Sequence, residues 1–209
     1  KEGMQAIREG DIVYRAGEVV ASGVIAGSRD VEDVRRDLAS LALVANRNVA
    51  QRLGSNVDEG SMLFYPPEFE QAAVFIAQSP QDVVVRIVAA GNQIRGEAVR
   101  TILQLYKNST IYKDKEFIIA RPFKLHGNQG EAEQDVMSFL QDVNQAAADR
   151  GVLPDPISGA VGVMDGAQFY DTVKTLIPIS GTAIISAYAH GDTDALGPLR
   201  LYMRVDAGQ

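Results

Sequence analysis

Hydrophobic and polar positions along this chain change period several times, and the changes mark out its elements. Ile12, Val13 and Tyr14 are apolar, Arg15-Ala16-Gly17 interrupts them, and Glu18 to Ile25 resumes as a Val-rich run. Short runs rich in β-branched residues predict strands rather than helix. From Asp30 the period becomes helical: Val34, Leu38, Leu41, Ala42, Ala45 and Val49 recur at spacings of three and four, which places them on one face. Asp30 is a good N-cap and Gly54 stands where a helix stops, near Leu53. A polar, proline-bearing loop is predicted from Ser55 to Pro67, then a shorter helix from Glu68 to Gln78. Asp82 to Ala90 is a strand by its β-branched run, Gly91-Asn92 and Gly96 supply turn chemistry, and Glu97 to Tyr106 resumes the strand pattern. Lys107-Asn108-Ser109 and Lys113-Asp114-Lys115 then separate Thr110-Ile111-Tyr112 from Phe117-Ile118-Ile119. Short turns favour antiparallel pairing of sequence neighbours, so the segment from Asp11 to Ala26 is expected to form a strand pair.

The pattern then repeats. Val13-Tyr14-Arg15 followed by Glu18-Val19-Val20 is echoed by Ile111-Tyr112-Lys113 followed by Glu116-Phe117-Ile118, an offset of 112 − 14 = 98 residues. Leu38, Leu41, Ala42, Ala45, Asn46 and Val49 correspond at the same offset to Val136, Phe139, Leu140, Val143, Asn144 and Ala147. Further on, Val84-Val85 corresponds to Ile184-Ile185, and Gly96 is aligned with Gly197. The expected fold class is α+β: an internal duplication of a β-β-α-α-β-β unit, with mostly antiparallel sheet and helices packed on one face. The two copies, 11–108 and 109–209, are expected to form one compact domain about a pseudo-twofold axis. Their sheets are expected to be continuous, because the Tyr106 to Tyr112 connection is short. Residues 1–10, with Met4 and Ile7 on one helical face and Gly10 as a stop, read as the end of an entering helix or coiled coil. The opening Lys1 suggests a fragment of a longer protein.

Composition narrows the function classes. With 209 residues, 46% of them hydrophobic, the chain can bury a sizeable core. A net charge of −7 argues against a dedicated nucleic-acid surface, which needs concentrated basic charge. There is no cysteine, so disulfides and thiolate chemistry are excluded. No apolar run is long enough to span a bilayer, and no signal-peptide pattern opens the chain.

Candidate chemistry is sparse. His190, Asp192 and Asp194 place an imidazole and two carboxylates within five residues, a set that could hold a metal or share a proton. Asp and Gly are also what a turn requires there, and that plainer reading is preferred. Gly91 to Gly96 has P-loop glycine spacing, but Glu97-Ala98 stands where Lys and Ser or Thr are needed. Glu18 and Glu116, with Tyr14 and Tyr112, recur in both copies and are read as residues flanking turns. His126 has no partner in the sequence, Gly159 to Gly166 is no dinucleotide fingerprint, and Arg29, Arg35 and Arg36 are offset by neighbouring acids. No cofactor is expected. Met62, Leu63, Phe64 and Tyr65, set among polar residues and prolines, are the nominated partner-binding segment.

At IVYRAGEVVASGVI, the NQIRGEAV turn, and IYKDKEFIIA after LQLYKN, the chain resembles the C-terminal region of the DUF3084 family of bacterial proteins, frequent in cyanobacteria. The resemblance covers roughly Asp11 to Val205. It implies a globular head on a longer, self-associating coiled-coil protein, cytoplasmic here and membrane-associated only through other segments. The family brings no catalytic residues. The expected function is therefore a non-enzymatic interaction or assembly domain, homodimeric, with an unknown protein partner. The alternatives are a metal-dependent hydrolase or nuclease built on acidic residues (Asp192, Asp194, Glu97), and a small-molecule sensor between the copies.

Overall fold

The structure is a computed structural model that describes residues 12–54, 62, 63 and 65–208, with the side chains of Met62, Leu63 and Val163 left aside. The expected entering helix at 1–10 and Phe64 lie outside the described residues. The fold is α+β, and the chain divides into two compact units, Lys1–Asn108 and Ser109–Gln209.

In unit 1 the order is β1 (Ile12–Tyr14), β2 (Val19–Ile25), α1 (Val31–Leu53), β3 (Met62–Leu63), α2 (Pro66–Gln78), β4 (Val83–Ala89), β5 (Gln93–Ile94) and β6 (Val99–Lys107). In unit 2 it is β7 (Thr110–Tyr112), β8 (Phe117–Leu125), α3 (Gln129–Arg150), β9 (Gly162–Val163), α4 (Gly166–Leu176), β10 (Gly181–Ala189), β11 (Thr193–Asp194) and β12 (Leu199–Ala207). Each unit builds its own four-stranded sheet, β2-β4-β6-β3 and β8-β10-β12-β9, rather than sharing a continuous one. Pairing is antiparallel except for the short outer strands β3 and β9, which run parallel to β6 and β12. A two-stranded ribbon completes each unit, β1 with β5 and β7 with β11.

The ribbons correct the expected hairpins. β1 and β2 are sequence neighbours but do not pair; β2 pairs with β4, and β1 with β5. A three-residue strand offers too few hydrogen bonds to hold a hairpin alone. The turn after β1 closes on itself (Glu18 N–H to Arg15 O, 3.0 Å) and is spliced to the end of β4. There Gly17 N–H donates to Ala89 O and Ala89 N–H to Glu18 O, both at 2.9 Å. Unit 2 repeats the splice with Lys115, Glu116 and Ala189. Hydrogen bonding also realigns the later turns. Glu97 N–H donates to Ile94 O and Gly197 N–H to Asp194 O, so Gly197 corresponds to Glu97 rather than to Gly96.

The helices form as their caps dictate. Asp30 accepts the Glu32 N–H at the start of α1, and Gly54 ends it in the left-handed region at φ 70°. α2 begins at Pro66, two residues earlier than the sequence pattern places it, because prolines lacking N–H groups suit the first turn. Each helix pair covers one face of its sheet. In unit 1, Val34, Leu38, Ala72, Ala73 and Ile76 pack on Ile25, Val83 and Val85. In unit 2, Val136, Phe139 and Val143 pack on Ala183, Ile185 and Ala187, and Phe139 meets Phe123 edge-on at 6.3 Å. Fully burying a side chain such as Phe139 or Leu38 stabilises by about 2–3 kcal/mol. The connection into α1 passes so close to the α2–β4 connection that a Cβ on Gly27 would lie 2.4 Å from Gln81 O.

Candidate functional site

The feature that recurs in both units is a tyrosine–glutamate–arginine clasp where the last turn of the long helix meets the splice. Tyr14 and Tyr112 end their short strands and are each 2% exposed. The Arg52 guanidinium lies 4.1 Å from the Tyr14 ring centroid and pairs with Glu18 at 2.5 Å. Arg150 lies 4.4 Å from the Tyr112 ring centroid and pairs with Glu116 at 2.7 Å. All three positions correspond at the 98-residue offset. Burial pushes both phenols above their ordinary range, and the adjacent arginine offsets part of that shift. A phenol shifted upward keeps its proton at neutral pH, and the arginine contacts to Tyr and Glu fasten the last turn of the helix to the turn as a structural clasp. The sequence pattern found the Tyr and Glu; Arg52 and Arg150 were missed, although a basic residue in each last helical turn at the same offset was the available signal.

Of the proposed metal residues, Asp192 and Asp194 line one cleft of about 390 Å³ with Thr110, Gly197 and Pro198, while His190 lies apart from them. The Asp192 carboxylate accepts the Asp114 N–H at 2.9 Å, while the Asp114 carboxylate accepts the Gly191 N–H at 2.7 Å. In unit 1, Asn92 Oδ1 does the same for Ala16 N–H, which identifies the job as closing a turn. Asp194 lies in β11 opposite Thr110, and its carboxylate accepts the Gly197 N–H at 3.2 Å. His190 belongs to another place, a cleft of about 690 Å³ lined by Asp165, Gln168, Asp171, Arg200 and Tyr202, with its ring edge-on to Tyr202. Among the described residues no three His, Asp or Glu side chains gather to hold a metal ion.

The nominated segment Met62 to Tyr65 is partly strand. Met62 and Leu63 pair in parallel with Val99 and Arg100, so the expected loop from Ser55 to Pro67 contains β3. Tyr65 precedes α2 and is 64% exposed. Beside it an apolar groove of about 350 Å³ runs between α1 and α2, lined by Leu38, Ala39, Ala42, Pro66 and Phe69 and rimmed by the Arg35–Glu70 ion pair.

The sharpest contrast between the units lies at their sheet edges. Among the described residues β2 and β8 are edge strands, and they correspond, since Val24 faces Val84 and Pro122 faces Ile184. β8 carries the usual guards against edge pairing. Pro122 interrupts the row of donors, and Arg121 on the strand pairs with Asp142 on α3 at 3.7 Å. β2, VVASGVI, has no charge and no proline. Gly23 stands in the place of Arg121, Val24 in that of Pro122, and Val44 of α1 in that of Asp142. Val24 and Val44 are 39% and 44% exposed. One turn after Val44, Asn48 donates to Val20 O at 2.9 Å, so this side of α1 runs alongside β2.

Comparison with known proteins adds a relative and no function. The chain is 26% identical over 202 residues to the uncharacterized protein alr4393 of Nostoc sp. (strain PCC 7120). The match covers 93% of this chain and 39% of that protein's length. No protein-family model matches the chain, and no solved structure matches it. Among the described residues no helix is long and apolar enough to cross a membrane.

Proposed function

We propose that this chain is a non-enzymatic interaction and assembly domain, working through a sheet edge rather than through a reactive cluster. The observation that carries the reading is the unguarded edge of unit 1 beside its guarded counterpart in unit 2. Two units of one strand order solve the same packing problem, yet one retains proline and paired charge at its edge and the other lacks both. Exposed strand edges recruit another strand unless they are blocked, and strand addition is a recurring mode of protein recognition.

The shared strand order and the 98-residue offset support descent of the two units from one ancestral unit. The resemblance to the DUF3084 C-terminal region, together with a longer cyanobacterial relative, supports placing the domain in a larger, cytoplasmic, coiled-coil protein of that kind. In this reading His190, Asp192 and Asp194 serve turns and a surface cleft.

The test is site-specific photo-crosslinking in the host cell, with the full-length protein carrying the photoreactive residue at Ser22 on β2 or at the corresponding Ala120 on β8. The expected result is a discrete adduct from Ser22, of whatever identity, and none above background from Ala120. If Ser22 captures nothing beyond the Ala120 background, the edge has no partner and the reading fails.

A further inference from the structure

We infer that the occupant of the β2 edge is a second copy of this chain, added antiparallel about a twofold axis through Gly23. The inference rests on the reading above and names its partner. Pro122 sits in the β8 ladder opposite Ile184 without an N–H to give, and proline in a sheet directs that missing donor away from the neighbouring strand. The corresponding Val24 therefore turns its N–H and C=O outward, and so does Ser22, two residues earlier on the same strand. At Val20 the strand bulges and the carbonyl is already held by Asn48, so the open groups lie between Ser22 and Val24.

A twofold axis through Gly23 uses these groups and no others. Ser22 of each copy would face Val24 of the other, giving about four ladder hydrogen bonds. The two Gly23 residues would meet as a non-hydrogen-bonded pair, the arrangement with the closest Cα approach, about 4.5 Å. A Cβ at Gly23 would make ordinary contact with Leu41 at 3.5 Å, so its absence is not demanded by packing within the unit. Arginine at this position, as at 121 in unit 2, would place like charges directly opposite each other.

Charge leaves this edge as the place where two copies can approach. The chain carries a net −7, so two copies repel over most of their surfaces. Along this edge, however, β2 has no charged residue, and the adjoining side of α1 presents Val44, Asn48 and Gln51. The strip is bounded by two ion pairs that are already neutralised within the copy, Arg29–Asp37 at 2.6 Å and Glu18–Arg52 at 2.5 Å. In unit 2 the same side of α3 carries Asp142 and Asp149 in place of Val44 and Gln51.

The experiment is sedimentation equilibrium of the purified 209-residue chain, unmodified and with the guards of unit 2 transplanted as Gly23→Arg with Val44→Asp. Val44→Asp alone, at an exposed helix position, serves as the variant that cannot disturb the core. A monomer has 22.5 kDa, and the unmodified chain is expected to approach twice that mass, about 45 kDa, in the micromolar range. The transplant is expected to weaken dimerisation at least tenfold with an unchanged circular dichroism spectrum, and Val44→Asp to weaken it less. A chain that stays at 22.5 kDa up to about 0.5 mM overturns the inference, as does a dimer indifferent to both variants. A monomer whose Ser22 still captures a different protein in cells removes the second copy and leaves the interaction domain standing. A monomer with no adduct removes both.

Discussion

The clasp predicts a local, measurable weakness when its arginine is removed. In Arg150→Met the guanidinium above Tyr112 is lost, and a half-exposed cation–π contact contributes about 0.5–1 kcal/mol. The ion pair with Glu116 joins side chains 48% and 33% exposed, so its own contribution is discounted to about 0.5 kcal/mol. Glu116 Oε2 is occluded from solvent and accepts no hydrogen bond, so the Arg150 charge 2.7 Å away is what compensates its burial, and removing that charge adds about 1 kcal/mol. The sum, about 2 kcal/mol, falls on the splice between the β7–β8 turn and β10. Native-state hydrogen exchange reads it at two amides: Lys115 N–H, bonded to Ala189 O at 2.8 Å, and Ala189 N–H, bonded to Glu116 O at 2.9 Å. Both should exchange about 25-fold faster, at roughly 1.4 kcal/mol per factor of ten. Arg52→Met should do the same to Gly17 and Ala89 in unit 1. Combining Arg150→Met with Glu116→Gln should cost less than the two single changes together, because the occluded charge has gone as well. An effect below about 0.5 kcal/mol in both units, or strict additivity, would show that the repeated residues share only a place and not an interaction.

Two further predictions concern the turns and the tyrosines. Asp192→Asn should leave the melting temperature unchanged or slightly raised, since Asn92 closes the corresponding turn with its amide oxygen and a carboxylate beside Asp114 is removed. Asp192→Ala should cost about 1 kcal/mol by stranding the Asp114 N–H. A divalent-ion shift in melting that disappears in Asp192→Asn would revive a metal site there. Tyr14 and Tyr112 are raised above 10.0 chiefly by burial. The stability tied to that shift is complete below the unfolded phenol value, about pH 10, and is lost as pH rises through the folded value. Absorbance titration at alkaline pH should show a late-ionising component that is lost when Tyr14 and Tyr112 are both replaced by Phe, with stability declining above about pH 10. A late component that survives the double replacement, or none at all, would count against the buried clasp.

Much of the fold was legible because local chemistry decides it. Asp30 and Gly54 bound α1 where the pattern puts it, since capping depends on a few adjacent backbone groups. The apolar positions of α1 and β4 name the core face, because a helix and a strand can each bury one set of side chains only in their own period. Tyr14, Glu18, Tyr112 and Glu116 stood out through repetition, although their role did not.

What the sequence could not decide was which strand pairs with which and what each exposed group meets. β1 and β2 read as a hairpin because turns are local, but the ladder that forms joins β1 to β5 across some 80 residues, by groups that carry no sequence signal. His190, Asp192 and Asp194 are close in the chain, yet the bend between β10 and β11 turns His190 into a different cleft, and the two carboxylates are taken up by backbone N–H groups of Asp114 and Gly197. The guard at β8 is an Arg121–Asp142 pair 21 positions apart, and its meaning depends on knowing that β8 and β2 are edges. Composition and periodicity fix what a segment becomes, since those forces act within a few residues; sheet order fixes what it faces, because an edge is defined by the strand that is not there.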